Sequence, residues 1–410
     1  MTETPHFDVV IVGTGHAGAQ TAIALRKQKF EGSIALVGDE AEAPYERPPL
    51  SKEYFLGEKT FDRLLIRPDT FWEEQDIALM PGRRVVTVDP RTRRVSFADG
   101  GGLRYSHLVW ATGGRVRRLS CSGSDLAGIH YVRTRADVDA LLSDTGTARR
   151  AAVVGGGYIG LEAAAGLKKL GLDVTVFEAA ERVLSRVAGA EVSAFYAQAH
   201  RRRGVEVLTG VSVDEILGAD GRVSAVRSGG KDHPADLVVV GIGIIPEVDV
   251  LEAAGAKVEN GVWVDAFGAT SLPDIYAVGD CAAQESRFAD GARVRIESVQ
   301  NANDMGATVA ASIIDQPRPH SATPWFWSNQ FDLRLQTVGL SVGHDQTVLR
   351  GDPDSESFSV VYLRGGRVVA LDCVNAVKDY VQGRKLVEAG AVIAPDRLAD
   401  PETALKDLAA

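Results

Sequence analysis

Two short stretches of this chain carry the residue types and spacing that dinucleotide chemistry needs. Val9-Val10-Ile11-Val12 runs into Gly13-Thr14-Gly15-His16-Ala17-Gly18, and Ala152-Val153-Val154 runs into Gly155-Gly156-Gly157-Tyr158-Ile159-Gly160. Each reads as a hydrophobic strand, a G-x-G-x-x-G loop and an apolar, alanine-rich helix. In such a unit the first glycine makes a tight turn, the second lets the backbone approach a pyrophosphate, and the third lets helix and strand pack closely. The helix N-terminus then offers amide groups and a positive dipole end to the phosphates. An acid follows each unit's second strand, Asp39 in the first and Glu178 in the second, where a carboxylate accepts hydrogen bonds from the adenosine ribose. One such unit predicts one dinucleotide. Two predict a protein that holds two and moves electrons between them. Glu178 favours NADH on the second, because a carboxylate repels a 2′-phosphate, with Arg182 and Arg186 close by in the chain.

Other residues carry chemistry only in context. Lys52 ends the rigid segment Pro44 to Lys52, PYERPPLSK. Over a flavin N5 edge a lysine stabilises negative charge on the reduced ring; on a surface it is a solvated cation, and the residues leave both open. Asp280 follows Gly279 at the end of a small-residue strand, where an acid holds a flavin's ribityl hydroxyls or simply makes a turn. Trp325 and Trp327 flank Phe326. Alternation along an extended segment is expected to send one indole into the core and the other toward a cofactor or partner, with both in the core as the alternative. Cys121, Cys281 and Cys373 form no close pair, so neither a disulfide framework, a C-x-x-C redox centre nor a four-cysteine cluster is encoded. They read as plain buried or half-buried thiols.

The elements that must position these residues are legible in outline. Residues 7–12 read as a buried strand, Ala17 to Lys27 as a helix ending in a basic turn, and Ser33 to Val37 as the next strand, a βαβ unit of about 30 residues. The three prolines of 44–52 exclude a helix interior or a central strand. Strands follow at 84–88, 93–97 and Tyr105 to Thr112, the last leading into the small residues 111–114. The second unit has a strand at 151–154, a helix at 158–170 and a strand from Asp173 to Phe177. A helix near 190–203 and strands at 205–208, 212–217, 222–227 and 237–240 come next. Strand-like segments recur at 261–264 and 271–277, a helix spans 298–314, and 317–324 reads as a linker by its prolines. Beyond it, strands at 332–341, 357–363 and 367–372 and a helix at 376–389 give an α+β texture without a glycine loop, so a third domain is expected.

The totals agree. A chain of 410 residues suffices for two or three domains, and 45% hydrophobic with 24% charged residues is ordinary for a globular protein. The net charge of −10 argues against nucleic acid as a partner. No run of about 18 apolar residues marks a membrane span, and the short polar start leaves no room for a signal peptide. The cytoplasm is the expected location.

Together these residues resemble the FAD-dependent, NADH-linked ferredoxin reductases that serve bacterial oxygenases, of the putidaredoxin reductase and rubredoxin reductase type. GTGHAG, PYERPPLSK, ATGG, GGGYIGLE, GIGIIP, IYAVGDC, RIESVQNA and PWFWSNQ carry the resemblance over almost the full length. It implies an α/β, glutathione-reductase-like fold with two Rossmann-type nucleotide-binding domains and a C-terminal α+β domain. The FAD-binding domain would be split, residues 1–114 and 245–322, with NADH bound by 115–244 and 323–410 forming the C-terminal domain. Gly13, Gly15, Ala17, Gly18, Asp39, Lys52, Val85, Arg133, Asp280 and Val299 would surround FAD, with Trp327 near the isoalloxazine. Gly155, Gly157, Tyr158, Ile159, Gly160, Glu178 and Arg186 would hold NADH, with Glu162 near the nicotinamide. Lys52, Glu162 and Trp327 are thus the expected catalytic residues, and no metal site is implied.

Disulfide reductases of this superfamily place a cysteine pair after the first βαβ unit, and 40–57 has no cysteine. The output therefore points away from sulfur. The implied activity is electron transfer from NADH through bound FAD to a small 2Fe–2S ferredoxin, which supplies a haem-thiolate monooxygenase or another bacterial oxygenase. The alternatives are an NADH oxidase or quinone reductase acting on small molecules, and a flavoprotein acting in binding or signalling. Because the chain is acidic overall, ferredoxin would dock on a local basic patch, for which Arg293, Arg295 and Arg334 are candidates. Monomer or weak homodimer is usual in the resembling group.

Overall fold

A computed structural model describes residues 4–408. They fall into two compact units. The first gathers the chain up to 46, 61–115 and 245–324; the second gathers 47–60, 116–244 and the chain from 325 onward.

In the first unit, hydrophobic runs without alternation form the middle of a parallel sheet, as strands covered on both faces must. Strand His6–Val12 lies between Ile34–Val37 and Gly102–Trp110 and is parallel to both. Ile77–Met80 extends the sheet in parallel, and Ile275–Ala277 joins the end of Gly102–Trp110. Val85–Asp89 and Arg94–Phe97 continue it in antiparallel fashion. Strand order reverses at His6–Val12, the crevice where open α/β sheets take ligands. Helix His16–Lys27 packs on helix Val299–Ile313 through Gly306, where a Cβ would lie 3.0 Å from the carbonyl oxygen of Ala17.

The second unit contains a parallel sheet in the order Val205–Thr209, Asp173–Glu178, Arg150–Val154, Leu237–Val240, Ile129–Tyr131. An antiparallel sheet of Glu215–Ala219, Arg222–Ser228 and Lys231–Pro234 accompanies it. The C-terminal residues form an antiparallel sheet in the order Trp325–Gln330, Leu333–Gly339, Arg367–Val374, Ser357–Arg364, Gln346–Asp352, with helix Val377–Ala389. Arg350, buried on its strand, donates to Asp379 at 2.9 Å and to the carbonyls of Leu398 and Thr403, which pins the C-terminal segment to this sheet.

Several local features differ from the sequence expectation, among them strands Ile77–Met80 and Ile129–Tyr131, which the sequence reading does not place. Strand Gln346–Asp352 and helix Arg135–Thr145 were not foreseen, although Thr134 and Asp137 form a capping box that announces the helix. The tryptophans correct a geometric expectation. Side chains alternate with period two, so residues 325 and 327 share one face of the strand. Their rings lie 5.5 Å apart, and it is Phe326 that meets Tyr158, at 4.6 Å.

The C-terminal sheet also buries an acid. Asp372 on strand Arg367–Val374 accepts the Tyr362 hydroxyl at 2.6 Å, and that hydroxyl accepts the amide of Gly189 at 2.9 Å. Burial pushes the Asp372 carboxyl up to about 7, with Glu191 adding to the rise. The folded protein therefore holds a proton here that the unfolded chain releases near pH 4. Stability from this group is present at acid pH and lost as pH rises from about 4 through about 7. Urea titrations across that window are expected to show Asp372→Asn flattening the fall by roughly 2–4 kcal/mol. Identical pH dependence in both proteins removes the claim.

Candidate cofactor sites

The two glycine loops are built alike, each within its own unit. Gly13 has φ +114°, and a Cβ on it would lie 2.2 Å from the carbonyl oxygen of Ala111. Gly155 has φ +106°, and a Cβ would lie 2.5 Å from that of Gly241. On the third glycines, Gly18 and Gly160, a Cβ would come within 1.9 Å of the carbonyl oxygens of Gly13 and Gly155. These four glycines are required by the loops' own folding. The crossings also explain the small residues at Ala111 and Gly241.

The middle glycine is different. Gly157 has φ −78°, and its Cβ would meet only the Gly241 oxygen, at 3.9 Å, an ordinary contact. No protein atom demands a glycine there, whereas a pyrophosphate against the backbone does. Gly157 is the N-cap of helix Tyr158–Lys169, and Gly15 is the N-cap of helix His16–Lys27. Neither helix has a side-chain cap or an acid in its first turn. Both N-termini thus present uncapped amides and a positive dipole end, which is what a dinucleotide phosphate requires. Ala17 and Gly18 are buried in the first turn of the earlier helix.

Glu178 stands at the second loop. Its Oε2 accepts the amide of Gly156 at 2.6 Å and its Oε1 that of Ala180 at 2.7 Å. Arg182 is committed to the carbonyls of Ser185 and Ala188 and the Ser193 hydroxyl, so it closes the loop after Glu178. Arg186 is exposed, its guanidinium beside Gly243, and Ile159 is 40% exposed at the start of the helix.

In the first unit Asp39 is exposed, next to Gly38, where a Cβ would strike the Thr14 side chain at 2.3 Å. Val85 is buried at the start of its strand. Asp280 sits in the helical turn Gly279–Cys281, and its carbonyl accepts from Arg295 at 3.2 Å. Val299 opens the helix capped by Ser298. Beside it the buried side-chain oxygens of Gln300 and Asn301 have no protein donor, and buried acceptors of this kind are normally satisfied. These orphaned oxygens and the uncapped Gly15 turn fit a flavin dinucleotide on this unit.

The second unit holds an arrangement that sequence reasoning missed. Glu162, on helix Tyr158–Lys169, is only 2% exposed. Lys52 Nζ donates to its Oε2 at 2.6 Å, Ser51 Oγ donates to the same oxygen at 2.6 Å, and Ser328 Oγ donates to Oε1 at 2.6 Å. The sequence placed Lys52 and Glu162 separately, against flavin and nicotinamide; the fold joins them in one ion pair. The network continues inward. Gln330 Nε2 donates to Ser328 Oγ at 3.1 Å, and its Oε1 accepts from His200 Nε2 at 2.9 Å. Burial pushes His200 down to about 4, so its imidazole is neutral at pH 7. A carboxylate this deep is tolerable only with such compensation. The available signal was the spacing of Ser328 and Gln330, which puts both on one strand face.

The remaining expected residues are distributed as follows. Arg133 belongs to the second unit, and its carbonyl accepts from Arg47 at 2.7 Å. Trp327 belongs there too. Cys281 and Cys373 are buried and Cys121 is half-buried, all as free thiols. Burial pushes the Cys281 thiol up to about 11 and raises the other two. None has the lowered pKa of a reactive thiolate. Of the arginines considered for docking, Arg293 pairs with Glu285 at 3.2 Å and stacks over Trp263, and Arg295 pairs with Glu297 at 2.6 Å. Arg334 is exposed.

Comparison with known proteins agrees with this geometry. Residues 7–306 match the pyridine nucleotide-disulphide oxidoreductase family model, and residues 325–409 match the reductase C-terminal model. The chain is 58% identical to the 5,5'-dehydrodivanillate O-demethylase ferredoxin reductase subunit of Sphingobium sp. (strain NBRC 103272 / SYK-6), over 99% of both chains. It resembles the crystal structure of the ferredoxin reductase for the CYP199A2 system from Rhodopseudomonas palustris with a TM-score of 0.95, at 41% identity over 98% of this chain and 100% of that one. The putidaredoxin reductase in its covalent complex with putidaredoxin gives a TM-score of 0.94 at 40% identity, over 98% of each chain. Among the described residues no helix is long and apolar enough to cross a membrane. Loops, C-terminal sheet and full-length similarity together assign the chain to the pyridine nucleotide-disulphide oxidoreductase family, among its FAD-dependent, NADH-linked ferredoxin reductases of bacterial oxygenase systems.

Proposed function

We propose that this chain passes electrons from NADH through bound FAD to a small 2Fe–2S ferredoxin that supplies a haem-thiolate monooxygenase or a related oxygenase. The observation that carries the reading is the coexistence of two uncapped glycine-loop cradles with no thiol poised to accept electrons. The FAD-binding domain is residues 1–114 and 245–322, the NADH-binding domain 115–244 and the C-terminal domain 323–410, working as a monomer or weak homodimer. Gly13, Gly15, Ala17 and Gly18 receive the FAD pyrophosphate, Asp39 its ribose, and Val85, Asp280 and Val299 the rest of the molecule. Lys52, Arg133 and Trp327 are assigned to FAD by family resemblance. Gly155, Gly157, Tyr158, Ile159 and Gly160 receive NADH, with Arg186 beside them and Glu178 on the ribose.

When bound, FAD supplies hydride acceptance and the change from two-electron to one-electron transfer. The chain's residues orient and polarise. The loop amides fix both pyrophosphates, and Glu178 repels a 2′-phosphate. Glu162, gripped by three donors, fixes the position of the Lys52 ammonium. Hydride transfer itself requires no side chain as a general base.

In stopped flow, NADH is expected to reduce the flavin, and a putidaredoxin-type ferredoxin to reoxidise it at least about tenfold faster than oxygen or a quinone, a difference of ~1.4 kcal/mol in barrier. Over the same traces kcat/KM for NADH should exceed that for NADPH by at least about tenfold. Equal reoxidation by small molecules selects the oxidase or quinone reductase. Equal coenzyme values remove the role given to Glu178.

A further inference from the structure

Between the Ser51–Glu58 segment, helix Tyr158–Lys169 and the turn joining Trp325–Gln330 to Leu333–Gly339 lies a cleft of about 260 Å³, wholly within the second unit. Its inner wall includes Ser51, Lys52 and Glu162, the hydrogen-bonded group just described. Its rim is charged: Glu53, Glu58 and Asp332 stand with Lys169 and Arg334. The last four are exposed, and Asp332 pairs with Arg203 at 2.7 Å. A cavity of this size and polarity accommodates several waters. The ion pair is therefore buried in protein on most sides yet borders a polar, open space.

The reaction proposed above leaves a proton to be removed. NADH and two oxidised ferredoxins give NAD⁺, two reduced ferredoxins and one H⁺. The hydride brings two electrons and a proton, the electrons leave singly, and the proton stays behind. We propose that this cleft is the port through which that proton reaches solvent, with Lys52 and Glu162 as its carriers. The inference rests on the reading that Lys52 faces bound FAD. Were Lys52 Nζ to take up that proton, a new N–H bond would form there as one of its existing N–H bonds broke and a Glu162 Oε2–H bond formed across the 2.6 Å contact. That bond then breaks to a water in the cleft, restoring the ion pair. Ser51 Oγ, on the same carboxylate oxygen and 3.4 Å from Nζ, keeps the two groups aligned. Ser328 holds the other oxygen, and through Gln330 it rests on His200, neutral at working pH, so the carboxylate keeps one orientation.

The test is a removable plug. Ala165 lines the cleft but is only 3% exposed, so a thiol placed there reacts readily only if small ions enter. In a Cys121→Ser background, which removes the half-buried native thiol, Ala165→Cys is treated with an ethylammonium methanethiosulfonate, first on cofactor-stripped protein and then on holoenzyme. The thiol is expected to label in both. Labelled holoenzyme should keep its rate of flavin reduction by NADH. Reoxidation by ferredoxin should slow at least about fivefold, with a solvent deuterium isotope effect rising to about 2 or more. Dithiothreitol should reverse both changes. Asn329→Cys, at the exposed edge of the same cleft, repeats the plug if Ala165→Cys does not fold. An unreactive Ala165→Cys thiol in folded protein overturns the port. So does a reactive one whose label leaves reoxidation and isotope effect unchanged, or slows both half-reactions equally. Protein that binds no flavin sinks the underlying functional reading instead, while thiol labelling still reports on the cleft.

Discussion

Lys52→Met is expected to destabilise the cofactor-free protein by about 3 kcal/mol, and the double variant Lys52→Met/Glu162→Gln by about 1 kcal/mol. The reason is the asymmetry of buried ion pairs. Removing the ammonium leaves a carboxylate with a side-chain exposure of 1% and only two serine hydroxyls as donors. That uncompensated charge costs about 3–5 kcal/mol when one partner of such a pair is deleted. The lower end applies because the Lys52 side chain is 12% exposed and already partly solvated. Replacing both residues removes the charge and the need for its partner together, so the double variant recovers most of the loss. Urea unfolding of the four proteins of this cycle measures the coupling. A double variant no more stable than Lys52→Met would show that the pair is not what holds Glu162 in place.

Gly157→Ala is expected to fold as the parent does and yet lose NADH affinity, with KM rising at least about tenfold, or ~1.4 kcal/mol. The methyl meets only the Gly241 oxygen at 3.9 Å, and φ −78° suits alanine. Stability should therefore stay within about 0.5 kcal/mol. The added group stands where the pyrophosphate must approach the backbone. Gly160→Ala is the control with the opposite signature. Its methyl would sit 1.9 Å from the Gly155 oxygen, so helix and loop must separate and folded yield should drop. Unchanged NADH kinetics in Gly157→Ala would mean that no dinucleotide approaches this loop.

The two glycines also show why much of the site was legible without coordinates. A Rossmann loop is local: strand, turn and helix occupy one short run, so their spacing states their geometry. The strands and helices expected around 7–37 and 151–177 accordingly lie within one or two residues of where they were placed. The C-terminal sheet was less legible. Strand Gln346–Asp352 carries Arg350 at a buried position, and an arginine inside a strand reads as surface until its partners Asp379, Leu398 and Thr403 are known. The tryptophan pair differs for another reason: residues two apart share a strand face, so Trp325 and Trp327 lie together and Phe326 takes the opposite side.

By itself the sequence determined that there are two dinucleotide units, that acids stand at Asp39 and Glu178, and that no cysteine pair follows the first unit. Each is a statement about residues near one another in the chain, or about a residue type that is absent. Only the tertiary structure decided that Lys52, 110 residues from Glu162, is its ion-pair partner. The same holds for Ser328, which reaches that carboxylate from the C-terminal sheet with Gln330 behind it, and for the polar cleft beside it. Spacing cannot encode such contacts, because they depend on which backbone segments pack side by side once the hydrophobic strands have chosen their neighbours.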